Sequence, residues 1–363
     1  MPDTATAPAP LRFSTGARAR DVSNFYDESR IVLASSLVMP EMVIPPGDWL
    51  KDIAILVDVA GAANAAAVAA QADAPWTLFA EIAFLDAGGN TVHSLSGYNM
   101  MLANLLGGYR FQTDPTGSPY FTALTVGAGA TAPTGSFILR VPVEIIDREA
   151  VGAYPNAASN AVTRIRLTLA PALSTWSVPG TAGTTTVRVR GISTGYVMPS
   201  SDSPAGRAYS PEPPGAGTFQ QWSQLSYDLT VGRRTIQHTR KGQTYRTLIF
   251  VARTAAGVRS DTLLNELEFR VDDVPVLSGL WRFCRDTTWH RQLVTAANLP
   301  AGVVQVSFAH EWDGKVGGEL RENWVITAPG SKVEIELDVA VAGTLEVITN
   351  EIIPVAGSGV LRV

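Results

Sequence analysis

The chain has 363 residues, enough for two domains of ordinary size, and 46% of them are hydrophobic, so it can bury a large core and is not disordered overall. A formal net charge of −5, with only 17% charged residues, argues against a protein whose main task is wrapping nucleic acid, because phosphate neutralisation needs an excess of Lys and Arg. The single cysteine, Cys284, excludes an intrachain disulfide and a Cys-rich zinc site, and reads most simply as a small buried apolar residue.

Met1 to Pro10 shows no charged start followed by an apolar stretch, so no secretory signal is expected. Residues 1–30 read as an N-terminal arm: Pro, Ala and Thr first, then Arg12, Arg18, Arg20 and Arg30 around Phe25 and Tyr26. Such a segment is either a frayed terminus or a tail that contacts neighbouring subunits, an inner membrane or a packaged genome. Strand-like patterning begins at Ile31 and runs through Leu37 to Ile44 until Pro45-Pro46-Gly47 forces a turn. Leu50 to Val59 is an apolar run of strand length. The Ala-rich stretch Ala60 to Ala74, broken by Asn64, Gln71 and Asp73, is too short and too weakly apolar to span a bilayer. Trp76 to Leu85 predicts a strand closed by the Asp86–Asn90 turn cluster. Ser96 to Leu106 predicts a helix capped by Ser96 and stopped by Gly107-Gly108. Phe137 to Ile146, Val162 to Leu169 and Thr184 to Ile192 complete a first module over 31–198.

Residues 199–217 hold five prolines, three glycines and four serines and read as a linker, with a long exposed loop as the alternative. A second module over 218–353 follows. Its strands are predicted at Gln224 to Val231, Tyr245 to Arg253, Leu263 to Val271, Val303 to His310, Trp324 to Thr327, Lys332 to Val341 and Thr344 to Ile353, with a helix at Ser278 to Trp289 and a tail at 354–363.

The two modules follow one plan. PPGDWLKDIAILVDV matches RKGQTYRTLIFVAR with Ile53 on Leu248; Leu95-Ser96-Gly97 matches Leu277-Ser278-Gly279 ahead of each helix; and the segment from Asp147 to Asn156 matches that from Asp313 to Asn323. Each match alone is weak, and their order carries the inference of a duplication. About eight short strands per half, one helix and long loops describe an all-β chain of two tandem eight-stranded antiparallel jelly rolls with short helices inserted. An immunoglobulin-like sandwich is the nearest rival but has no regular place for the helix.

In this layout, and in the pieces NELEFRVDDVPVLSGLWRF and VSFAHEWDGKVGGELRENWVI, the chain from about 30 to 353 resembles the double jelly-roll major capsid proteins of the tectivirus and adenovirus lineage. The resemblance implies a homotrimer whose six jelly rolls form a near-hexagonal ring that tiles an icosahedral virion shell. It implies neighbouring trimers, penton and minor capsid proteins as partners. It also implies an inward-facing arm and tail, in this lineage often above an inner lipid membrane. Arg12, Arg18 and Arg20 are the candidate inner-face contacts to anionic lipid or genome. Sequence-specific nucleic-acid binding, cofactors, metals and catalysis are not expected.

Enzyme chemistry finds little purchase. His93, His238, His290 and His310 form no HxH or HExxH pattern. His310-Glu311-Trp312-Asp313, with Glu319 and Glu322, could supply paired carboxylates for glycoside hydrolysis but reads more simply as a polar loop. Gly127-Ala128-Gly129 has no following helix to bind phosphate. Asp272-Asp273 could join a calcium site, though turn chemistry explains it, and Trp281 and Trp289 read as helix core contacts. The competing functions are a phage receptor- or carbohydrate-binding tandem sandwich and a double jelly-roll amidase or glycosidase.

Overall fold

The computed structural model of the chain describes residues 9–61, 69–108, 114–125, 133–145, 150–157, 162–177, 185–199, 203, 206–292, 299–309 and 323–353. After a one-turn helix α1 (Phe13–Gly16), the first module contains β1 (Arg18–Ile31), β2 (Leu37–Val38), β3 (Met42–Val43), β4 (Trp49–Gly61), β5 (Phe79–Leu85), β6 (Thr91–Leu95), α2 (Gly97–Leu106), β7 (Thr122–Thr125), β8 (Thr134–Pro142), β9 (Tyr154–Pro155), β10 (Arg164–Leu169) and β11 (Thr185–Val197). The second contains β12 (Phe219–Leu229), β13 (Gly232–Gln237), β14 (Thr244–Thr254), β15 (Leu264–Val271), β16 (Val274–Leu280), α3 (Trp281–Gln292), β17 (Val303–Ser307), β18 (Val325–Ile326), β19 (Val333–Val339) and β20 (Gly343–Ile353).

Each module is a sandwich of two antiparallel sheets with the same strand order. The first pairs β1-β11-β4-β8-β7 with β2-β10-β5-β6; the second pairs β12-β20-β14-β17 with β13-β19-β15-β16. The first strand lies beside the last and the helix follows the fifth main strand in both, which is jelly-roll winding. Even an irregularity repeats. The β4–β11 ladder skips Lys51 between Asp52 and Leu50, and the β14–β20 ladder skips Arg246 between Thr247 and Tyr245. Short strands β9 and β18 then pair with β4 and β14 at the same place. The bulge therefore sets Ile53 against Leu248, as the sequence match has it.

Alternation explains the cores. Ile53, Ile55, Val57 and Val59 of β4 point into the first sandwich, and Leu248, Phe250 and Ala252 of β14 point into the second. Ile249 and Val251, on the opposite face of β14, are also fully buried, but within the first module's cluster. The outer face of one sheet of the second module is thus an internal surface of the protein.

Several expectations are corrected. Thirteen of the thirty residues of the expected arm, from Arg18 on, lie in β1, which pairs along β11; it reads as an arm because only Tyr26 in that strand is buried. Edge strands β6 and β13 carry no clear apolar period and were not expected. Trp76–Leu78 is a single 3-10 turn ahead of β5. Leu277-Ser278-Gly279 lies inside β16, whereas Ser96 caps α2 and Gly97 begins it, so this match is out of register. Asn156 follows β9 while Asn323 precedes β18, so those asparagines are not counterparts. Asp147, the 310–322 loop with its carboxylates, Gly127 to Gly129 and the 354–363 tail lie outside the described residues.

Candidate functional site

Buried polar groups gather where the first module meets the second. Gly97 begins α2 close beneath the preceding 3-10 turn, where a Cβ would stand 2.2 Å from the carbonyl of Trp76. Ser96 caps the helix by accepting from the Asn99 N–H. Nine of the helix's ten residues are buried, which an outward-facing helix would not be. Asn104 satisfies the free edge of β8: its Nδ2 donates to the carbonyl of Arg140 at 2.7 Å and its Oδ1 accepts from the Arg140 N–H at 2.8 Å. Thr288 of α3 does the same for β17, its Oγ1 accepting from the Gln305 N–H at 2.9 Å.

α2 crosses the outer face of the β12-β20-β14-β17 sheet. Trp222, Ile249, Val251, Val303 and Ile348 line that face and are wholly buried, each aliphatic side chain contributing about 1.5–3 kcal/mol. Polar contacts fix the register. The Gln224 Oε1 accepts from the Ser96 N–H and from Asn99 Nδ2. Arg246 Nη1 donates to the Gly107 carbonyl at 2.9 Å and Gln305 Nε2 to that of Leu106 at 2.6 Å, so two orphan carbonyls at the helix C-terminus are satisfied from the other module. Gln220 Nε2 reaches the Glu144 carbonyl at 2.8 Å. At one edge Asp73 accepts from Arg253 and Arg259, and both guanidinium groups lie over the Tyr98 ring.

His93 Nδ1 accepts the Trp222 N–H at 3.0 Å. Burial pushes its pKa down to about 3, which keeps the imidazole neutral and the acceptor available. Burial likewise lowers His238 to about 4, beside Tyr227. Cys284 is buried, and desolvation raises its thiol to about 11. These are the environments of packing groups rather than of an acid–base pair.

The sequence-selected residues fall elsewhere. Arg12 precedes α1, while Arg18 and Arg20 lie on one side of β1 by alternation; all three are exposed. Arg20 flanks a shallow cleft with Asp48, Trp49 and Asn156. Asp272 and Asp273, both with positive φ, form the two-residue turn between β15 and β16, and Lys332 binds both: its N–H the first, its Nζ the second. Trp281 is buried in the second core. What sequence reasoning missed is the contact itself. Its signal was a second apolar face on β14, where Ile249 and Val251 break strict alternation.

No protein-family model matches the chain, and no curated protein matches it in sequence. Solved structures match it along nearly its whole length. The STIV MCP (STIV being Sulfolobus turreted icosahedral virus) superposes with a TM-score of 0.66 at 10% identity, covering 95% of this chain and 100% of that one. The PBCV-1 virus capsid gives 0.60 at 11%, covering 96% of each chain, and the major capsid protein of bacteriophage PM2 gives 0.56 at 8%, covering 92% and 97%. At such identities the likeness speaks for architecture: two tandem jelly rolls, the fold of the double jelly-roll major capsid proteins.

Proposed function

We propose that this chain is a structural major capsid protein, forming homotrimers whose six jelly rolls tile an icosahedral virion shell. The observation that carries this reading is the repeat of strand order in two modules of one chain, the edge strand β7 apart, in a chain matched along nearly its whole length to capsid proteins. A chain with two similar modules gives a threefold assembly a near-sixfold outline, and closed symmetry limits growth until trimers meet trimers. On this reading the units are a first module over 31–198 extended by β1, a connection over 199–217, a second module over 218–353 and a tail over 354–363. The role is non-catalytic. Neighbouring trimers, penton and minor capsid proteins are its partners, and Arg12, Arg18 and Arg20 are offered to an anionic inner surface of lipid or genome.

Sedimentation and electron microscopy of the purified protein test this. Trimers that form pseudo-hexagonal arrays support it. A monomer that binds glycans or hydrolyses them supports instead a binding sandwich or a glycosidase.

A further inference from the structure

The second module leaves exposed the surface that the first module buries. The shared bulge makes Ile249 the counterpart of Ala54. Across the ladders, Gln305 then stands where Arg140 stands, each opposite that residue on the neighbouring strand. Thr288 bonds the Gln305 edge as Asn104 bonds the Arg140 edge, so α3 aligns with α2 with Thr288 on Asn104. That alignment puts Leu280 at the position of Ser96 and Phe283 at the position of Asn99. Ser96 and Asn99 are the residues through which the first module holds Gln224 of β12. Leu280 is 61% exposed and Phe283 59%, with Val276 also exposed on β16. The two positions that grip the neighbouring module in one half are large, apolar and uncovered in the other.

The matching surface is present on the first module. By the same registers Leu56, Ile138 and Ile192 are the counterparts of Val251, Val303 and Ile348. They lie on the outer face of the β1-β11-β4-β8 sheet and are only partly buried, whereas their counterparts are fully buried under α2. The position of Gln224, between Ser223 and Leu225, falls in β1 on the bulge between Val22 and Tyr26, where Ser23 and Asn24 are exposed while Phe25 turns inward beside Gly191 and Met42. An apolar stripe across one sheet face and an apolar pair where β16 passes into α3 are what a desolvated contact needs.

We infer that the β16–α3 face of one copy docks on the outer β1-β11-β4-β8 face of a second copy. Leu280 and Phe283 seat against the β1 bulge and the Leu56–Ile138–Ile192 stripe, repeating between chains the contact that α2 makes within one. The contact uses two different surfaces, one on each module, so it runs head to tail and closes as a ring. This inference rests on the trimeric reading and supplies its interface.

Two constructions test it in the full-length protein. The first is L280D together with F283D, both at exposed positions, assayed by sedimentation alongside a thermal melt. The second places cysteines by Ser23→Cys and Phe283→Cys, with each single variant as control for Cys284, and reads oxidised species on a denaturing gel. The expected result is a wild-type trimer, an acidic variant that melts as before but sediments at a third of the mass, and a cross-linked ladder that ends at three chains. A wild-type trimer with an acidic variant that still trimerises, or with no cross-link above the single-cysteine controls, overturns the inference and leaves the capsid reading standing. A wild-type protein that stays monomeric at all concentrations overturns the trimeric reading beneath it. If the acidic variant unfolds, the cross-link decides.

Discussion

Arg246, at the bulge of β14, is buried to 1% exposure and donates from Nη1 to the carbonyl of Gly107, the residue that ends α2 in the other module, at 2.9 Å. Lys51 holds the matching bulge position in β4. The same backbone irregularity thus carries a cation in each module, and in the second it is the link between the two.

Replacing that cation tests the link. Arg246→Met keeps the aliphatic stem but removes the charged donor to Gly107. The expected loss is about 1.5–3 kcal/mol in urea unfolding. The neutral companion Gln305→Leu, which removes the 2.6 Å bond to Leu106, costs about 1 kcal/mol. Because both bonds cross between modules, the double variant should unfold in two transitions where the parent unfolds in one.

Asp73 lies between two guanidinium groups, with Arg253 at 2.5 Å and Arg259 at 2.7 Å, and its side chain is 5% exposed. Removing one partner of a buried pair leaves uncompensated charge. Asp73→Ala should therefore destabilise by about 3–5 kcal/mol, measured as a fall in the denaturation midpoint. An exposed pair such as Arg188 with Asp27, both about half exposed, should lose far less on the same treatment, because solvent screens it.

The buried histidines give stability a pH dependence with a definite sign. His93 has a folded pKa of about 3, below its ordinary value of 6.5, and His238 one of about 4. The unfolded chain therefore binds protons that the folded chain refuses. Their contribution is fully present above about pH 6.5 and is lost as pH falls towards those folded values, at up to about 1.4 kcal/mol per pH unit for each histidine. Glu351 acts in the opposite sense, because burial raises its folded pKa and favours the neutral acid. Melting temperature followed from pH 7 to 5 should fall. His93→Asn, which retains an acceptor for the Trp222 N–H, should flatten the slope while leaving stability at pH 7.5 nearly unchanged.

Asn104 and Thr288 perform one task in two modules, so they should fail alike. Asn104→Leu strands the Arg140 N–H and carbonyl, and Thr288→Val strands the Gln305 N–H. Each should cost about 1–3 kcal/mol. Amide exchange should speed up at Arg140 in the first variant and at Gln305 in the second.

The modules were legible because burial writes itself into alternation. The β4 run at Leu50 to Val59 and the β14 run at Tyr245 to Arg253 were visible for that reason, and so was the Ser96 cap. β1 was not, because an edge strand with one buried side chain has the composition of a tail. Leu277-Ser278-Gly279 misled because three common residues fix no register. Only the hydrogen bonds of Asn104 and Thr288 to strand edges fix it. Arg12, Arg18 and Arg20 were chosen on charge alone, and their exposure agrees with any solvated role.

By itself the sequence determined the fold class, the two-module plan and the place of α2, since these follow from local periodicity, caps and turn residues that act within a few positions. The tertiary structure decided which faces meet. Ile249 and Val251 on one face of the second module and Leu280 and Phe283 on another are equally apolar in the sequence. Only the packing of α2 across β14 shows that the first pair is already covered and the second is not. Contacts between distant segments depend on how strands register and sheets stack, and no local pattern encodes that.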